Sequence, residues 1–112
     1  MEVGKIEKIL KNTLLYDFYA ELLTIRQRDI YHMYYFEDMS LEEAGDKLGI
    51  TRQAVHSSLR HTQKKLETIE RKLGMVNFHG AAKGYIEALG QALEAGDVAE
   101  GKRIVAEFSE LV

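Results

Sequence analysis

The segment "SLEEAGDKLGITRQAVHSSLRH", Ser40 to His61, decides the fold of this chain. It holds a short helical pattern that breaks at Gly49, restarts two residues later and continues into a basic helix. Counted from Leu41, the fifth residue is Gly45, whose lack of a side chain allows two helices to cross closely. The ninth is Gly49, which supplies the positive φ of a tight turn. This spacing is typical of a helix-turn-helix.

Apolar side chains at three further positions are predicted to bury the inner corner of this motif. Leu48 and Ile50 flank the turn glycine, and Val55 lies early in the second helix. Leu59 is predicted to close the base, where many helix-turn-helix motifs make this contact one residue earlier, here at the polar Ser58. This packing leaves one face of the second helix free.

Apolar residues recur at three- and four-residue spacing along the chain, and there is no Pro, so the sequence predicts an all-α protein. Capping-box patterns, Thr24 with Gln27 and Ser40 with Glu43, mark two helix starts. Helices are predicted over about 5–22, 25–36, 41–48 and 52–73, with a hairpin from Asn77 that turns near Gly96–Asp97. The expected division is a helix-turn-helix domain with a long recognition helix (1–75) and a C-terminal helical hairpin for dimerisation or packing (76–112).

Two helices show apolar stripes. The first has Ile6, Ile9, Leu10, Leu14, Phe18 and Leu22 on one face, with Leu15 and Tyr19 beside it. The fourth has a heptad seam through Val55, Leu59, Thr62, Leu66, Ile69 and Leu73. The end of this seam (Leu66, Ile69 and Leu73) and the tail present more apolar surface than a monomer readily hides, so a homodimer is expected.

The charge is unevenly distributed. Residues 52–73 contain six Arg or Lys against two Glu, a local +4, in a chain with net charge −3. One interpretation is an anion-binding face, and the other is a solvated helix in which Arg52 pairs with an acidic neighbour such as Asp46. The acidic pI of 5.8 favours a protein partner, because dedicated DNA-binding domains are usually basic.

The free face of the fourth helix contains residue types that reach phosphates and base edges. Arg52 lies in the first turn, where a cation opposes the helix dipole unless a phosphate is nearby. Arg52, Arg60, Lys64 and Lys65 are predicted to bind phosphate, and Gln53, His56 and Ser57 to contact bases. With Thr51, these residues form the predicted nucleic-acid-binding set.

Other chemistry is not indicated. There is no Cys, and no two of the four His lie four residues apart, so neither a metal site nor a cofactor is expected. "GDVAEGKR" has the glycine and lysine spacing of a phosphate-binding loop but lacks its final Ser or Thr. No catalytic set is evident, and the chain is not expected to be an enzyme. No apolar run approaches the ~18 residues of a membrane span, so a cytoplasmic protein is expected.

The chain from about Leu14 to Met75 resembles the YlxM-like family of bacterial helix-turn-helix proteins. The segment "SLEEAGDKLGITRQAV" shows the match most clearly, with "FYAELLT", "YYFED" and "RQAV" as secondary marks. Two departures are His56 and Ser57, where an aromatic and an acidic residue are expected, and the Ala- and Gly-rich tail from Asn77.

This resemblance implies a sigma-like fold, because the family is similar to the fourth region of sigma factors. It also implies a homodimer and a role with the signal recognition particle. Two functions therefore stay open: a DNA-binding regulator, or a scaffold that binds the signal recognition particle GTPase or RNA polymerase without DNA readout.

Overall fold

The computed structural model describes residues 3–112, with the side chains at positions 3, 5, 6, 8 and 9 excepted. The described residues form α-helices, one 3-10 turn and no strand, which confirms the all-α fold. None of these helices is long and apolar enough to cross a bilayer. Two compact units divide after Leu73. The helices are α1 (Val3–Tyr19, followed by the 3-10 turn Ala20–Leu22), α2 (Ile25–Tyr35), α3 (Leu41–Leu48), α4 (Arg52–Leu73), α5 (Met75–Glu94) and α6 (Val98–Leu111).

Both predicted capping boxes are present. The Ser40 hydroxyl accepts a hydrogen bond from the Glu43 N–H (3.0 Å), and the Glu43 carboxylate accepts one from the Ser40 N–H (3.2 Å). Thr24 and Gln27 exchange the same pair of bonds at the start of α2, at 3.1 and 3.0 Å. Each box satisfies backbone N–H groups that have no partner within the helix, so α2 and α3 begin where the sequence predicts.

The turn between α3 and α4 depends on two glycines. Gly49 has φ 70°, the left-handed conformation that a side chain disfavours. A Cβ atom at Gly45 would lie 2.6 Å from the Ile50 carbonyl oxygen, so the two helices cross more closely than any side chain permits. The Thr51 hydroxyl accepts the Ala54 N–H at 3.0 Å and caps α4.

The core of the first unit lies where α4 packs against α1, α2 and α3. Val55 and Leu59 are buried as predicted, whereas Leu48 and Ile50 are only half-buried. The heptad seam is buried as far as Leu66, because α1 and α2 cover it. The expectation that Leu66 is available to a second chain is therefore wrong: it is 0% exposed within this unit.

The buried face of α1 differs from the predicted stripe. Leu15 and Tyr19, predicted to lie beside the stripe, are buried together with Asn12. The predicted members Leu10, Leu14 and Leu22 are exposed, and Ile6 and Ile9 lie outside the described side chains.

The reason is polar complementarity with α4. The Gln63 amide donates to Asn12 Oδ1 (2.8 Å), and the Tyr19 hydroxyl donates to Glu70 Oε1 (2.5 Å). Turning the helix to bury the apolar stripe would break both of these hydrogen bonds to α4.

The second unit is a helical hairpin of α5 and α6. It turns at Gly96 (φ 70°), within the predicted turn near Gly96–Asp97, and Asp97 caps α6 by accepting the Glu100 N–H at 3.0 Å. The rings of Tyr85 and Phe108 stack across the two helices with centroids 5.2 Å apart.

Candidate nucleic-acid interface

One face of α4 is solvent-exposed along the helix. Its opposite face is buried in the first unit, so the side chains between the buried positions point away from the core. Residues 51–66 contain no Asp or Glu, although the chain as a whole is acidic. Of the predicted set, Lys65 is half-buried at the flank, and the exposed members are Thr51, Arg52, Gln53, His56, Ser57, Arg60 and Lys64.

The start of α4 and the start of α3 form two adjoining clefts. Arg52, Gln53 and His56 line the first together with Leu41. Arg52 and Leu41 also line the second, whose other wall is formed by Tyr34, Ser40 and Glu42. The structure therefore places three predicted residues at one surface, with Arg52 on the side that faces α3.

No described carboxylate pairs with Arg52. Its predicted alternative partner, Asp46, lies beyond ion-pair distance, and the same holds for Glu42 across the second cleft. An unpaired cation in the first turn of a helix costs about 0.3–1 kcal/mol, and a bound phosphate reverses the sign of this interaction. Ion pairs within 4.0 Å do form elsewhere, between His32 and Glu37 and between Arg103 and both Glu100 and Glu107.

The charge on α3 limits the direction from which a polyanion can approach. Glu42, Glu43 and Asp46 are exposed on this helix. The Glu43 carboxylate is partly neutralised by the backbone N–H that it caps, while the other two face solvent. The net charge of α3 therefore disfavours the approach of a polyanion from this helix, whereas the exposed face of α4 has no carboxylate from 51 to 66.

The spacing of the cations along α4 fits one groove of DNA. Arg52 and Arg60 are eight positions apart, which corresponds to about 12 Å along a helix. The major groove is about 12 Å wide, so these two side chains can reach phosphates on opposite sides of it. Lys64 and Lys65 lie about 18–20 Å from Arg52 along the axis, beyond the groove floor.

Three residues at this surface were not predicted. Ala54 is exposed beside Gln53, and its helical position next to the predicted contacts could have identified it. Leu41 and Tyr34 belong to α3 and α2, and only the tertiary structure brings them to the start of α4. Thr51 is exposed as predicted, and its oxygen accepts the capping hydrogen bond, which leaves its hydroxyl proton and one lone pair for a ligand.

Comparison with known proteins identifies the family. Residues 6–102 match the family described as "Putative helix-turn-helix protein, YlxM / p13 like". The chain belongs to this family. A UPF0122 protein of Symbiobacterium thermophilum is 37% identical over 101 residues, which cover 90% of this chain and 94% of the relative. One from Geobacillus kaustophilus is 37% identical over 108 residues (95% and 98%), and one from Thermoanaerobacter sp. is 43% identical over 82 (73% and 70%).

The YlxM-like match extends further than the sequence resemblance indicated. The expected limits were about Leu14 and Met75, whereas the family model also covers α5 and the start of α6. Most of the Ala- and Gly-rich tail, as far as residue 102, is therefore part of the family's matched region.

Proposed function

We propose that this YlxM-like protein is a cytoplasmic DNA-binding regulator that inserts the start of α4 into the major groove. The observation that supports the proposal is the exposed face of α4, free of acidic residues from 51 to 66 and with Arg52 unpaired beyond the Gly49 turn. Duplex DNA fits this face better than duplex RNA, because the major groove of A-form RNA is too deep and narrow for a helix.

The side chains divide by role along α4. Gln53, His56 and Ser57 lie between Arg52 and Arg60 and face the base edges when these two arginines bind the flanking phosphates. Lys64 and Lys65 contact only the backbone beyond the groove, or contribute through long-range attraction.

Salt dependence tests this proposal. With four phosphate contacts, affinity should fall about a hundredfold between 50 and 200 mM salt. The variant Arg52→Ala with Arg60→Ala should lose well over tenfold in affinity for duplex DNA and about half of the salt slope. Fluorescence anisotropy with a labelled duplex measures both quantities.

The matched control is Lys11→Ala with Lys83→Ala, which removes the same charge at two exposed positions outside α4. It should bind DNA nearly as well as the unmodified protein. Equal affinity of the arginine double variant and the unmodified protein would refute the assignment of the α4 face.

The second unit favours a further proposal, dimerisation through the hairpin. Gly74–Val112 is a 39-residue unit, and units below about 40 residues usually need disulfides, metals or oligomerisation. Leu93, Val98 and Val105 line an apolar groove on the hairpin and remain about half to two-thirds exposed. Pairing of two such faces would bury this surface and bring two copies of α4 to one duplex.

The same apolar surface favours the alternative function, a scaffold for the signal recognition particle GTPase or RNA polymerase. The two functions are distinguished by titrating the purified GTPase or RNA polymerase with the Arg52→Ala, Arg60→Ala variant and measuring its affinity. Unchanged affinity for the partner together with absent DNA binding in the unmodified protein would support the scaffold.

A further inference from the structure

Gln53 and Ala54 belong to the exposed face of α4. Both lie in its first turn, and both are exposed. The Gln53 side chain has no hydrogen-bond partner within the described part of the chain. Ala54 and Ser57, its neighbours on the surface, are small and leave the long Gln53 side chain room to lie flat against a base pair.

The amide of glutamine has one donor and one acceptor side by side. Adenine offers the complementary pair in the major groove, an acceptor at N7 and a donor at N6. Guanine offers two acceptors and cytosine a single donor, so either of them leaves half of the amide unpaired.

Ala54 adds an apolar contact next to this amide. Thymine is the only base with a methyl group in the major groove, and an alanine methyl is one of the groups that contact it. The Ala54 side chain lies beside Gln53 on the same exposed turn, within reach of the base pair that Gln53 contacts or of the next one.

Arg52 and Ser57 are less suited to this role. Arg52 is a cation in the first turn of α4, where its charge and the helix N-terminus together favour a phosphate. The Ser57 hydroxyl is both donor and acceptor and does not discriminate between bases.

We propose that Gln53 determines sequence specificity by recognising an adenine, with the Ala54 methyl against the methyl of a thymine in the same or the adjacent base pair. This inference rests on the proposed entry of α4 into the major groove. The ligand is duplex DNA with an A·T pair opposite the first turn of α4.

Selection of bound duplexes from a random pool provides the first test. The unmodified protein should enrich one position for A·T, and replacing this pair by G·C should reduce affinity about tenfold. In Gln53→Leu, of similar size, only the several-fold preference from the methyl contact should remain, and in Gln53→Leu with Ala54→Gly the same replacement should change affinity less than twofold. In Gln53→Arg the preference should move to G·C, because arginine pairs with O6 and N7 of guanine.

Uracil in place of thymine tests the methyl contact. The replacement should weaken DNA binding by the unmodified protein several-fold and leave DNA binding by Ala54→Gly unchanged. Gln91→Leu, the same change as Gln53→Leu at an exposed position of α5, is the matched control and should keep the preference for A·T at the enriched position. Circular dichroism of each variant excludes loss of the fold as the cause.

The outcomes separate this inference from the proposed function. Salt-dependent DNA binding without an A·T preference, or a preference that is undiminished in Gln53→Leu, would overturn the role of Gln53 and leave the groove-binding proposal standing. Absence of any DNA binding would overturn both.

Discussion

Thr62 places a hydroxyl group inside the core of the first unit. The residue is 1% exposed, and its Oγ1 has no hydrogen-bond partner among the described residues. An unsatisfied buried polar group costs about 1–3 kcal/mol. Thr62→Val keeps the shape and removes the polar atom, so we expect the free energy of unfolding to rise by about 1 kcal/mol. Denaturant unfolding followed by tyrosine fluorescence measures it, since five of the six Tyr lie in this unit.

Val55, on the same face of α4, is as buried as Thr62, so the reverse change, from Val to Thr, can be made there. Val55→Thr should lower the free energy of unfolding by about 1–3 kcal/mol, because it buries a new hydroxyl. If Thr62→Val were less stable than the unmodified protein, the Thr62 hydroxyl would have a partner, such as the carbonyl one turn earlier.

Single residues with strong local preferences were predictable from the sequence. Ser40 with Glu43, and Gly49 with its positive φ, act within one turn of backbone, so neighbouring residues suffice to predict them. Lys65 shows the limit of such reasoning. Its charge indicates a phosphate contact, but its half-buried position depends on how α4 packs against other helices.

At the scale of elements, the crossing of α3 and α4 depends on Gly45. Gly45→Ala places a Cβ 2.6 Å from a backbone oxygen that cannot rotate away. We expect the first unit to lose about 1–3 kcal/mol of stability through overpacking. A wider crossing would also displace the start of α4, so DNA affinity measured under folded conditions should fall.

Gly80→Ala is the matched control, because no atom lies within 4 Å of the added Cβ on α5. It should stabilise its helix by about 0.5–1 kcal/mol, the usual difference between Ala and Gly. Unfolding monitored by circular dichroism compares the two variants. Equal stability of Gly45→Ala and the unmodified protein would show that the helices can separate without cost.

The buried face of an element was harder to predict than its ends. The α1 stripe through Leu14 contains more apolar residues than the face through Leu15, and periodicity alone favours it. The structure buries the other face because Asn12 and Tyr19 find partners on α4, more than fifty residues away in sequence. Hydrogen bonds between residues so far apart leave no pattern in the local sequence. The positions of Leu41 and Tyr34 beside Arg52 also depend on tertiary packing and leave no local pattern.

At the scale of the whole molecule, the exposed apolar side chains of the hairpin support the proposal that two chains dimerise through it. The second unit buries few side chains fully, among them Ala92 and Ile104, and has no Cys to stabilise it. Its apolar groove is lined by Leu93 of α5 and Val105 of α6, and Lys102 is the one charged residue in the lining. Two such grooves can pack face to face without opposing carboxylates.

We therefore predict that Leu93→Glu with Val105→Glu converts a dimer into a monomer. Each substitution places a charge in an apolar interface, where desolvation of an unpaired carboxylate outweighs the packing that remains. Sedimentation equilibrium measures the mass, and circular dichroism confirms that the helices persist. Lys83→Glu, an exposed charge change on α5 outside the groove, should leave the dimer intact. A monomeric mass for the unmodified protein, or a dimer that survives both glutamates, would show that this face does not join two chains.

Two copies of α4 in a dimer bind one duplex more tightly than either copy alone. Loss of the dimer should therefore also weaken binding to a two-half-site duplex far more than to a single half-site.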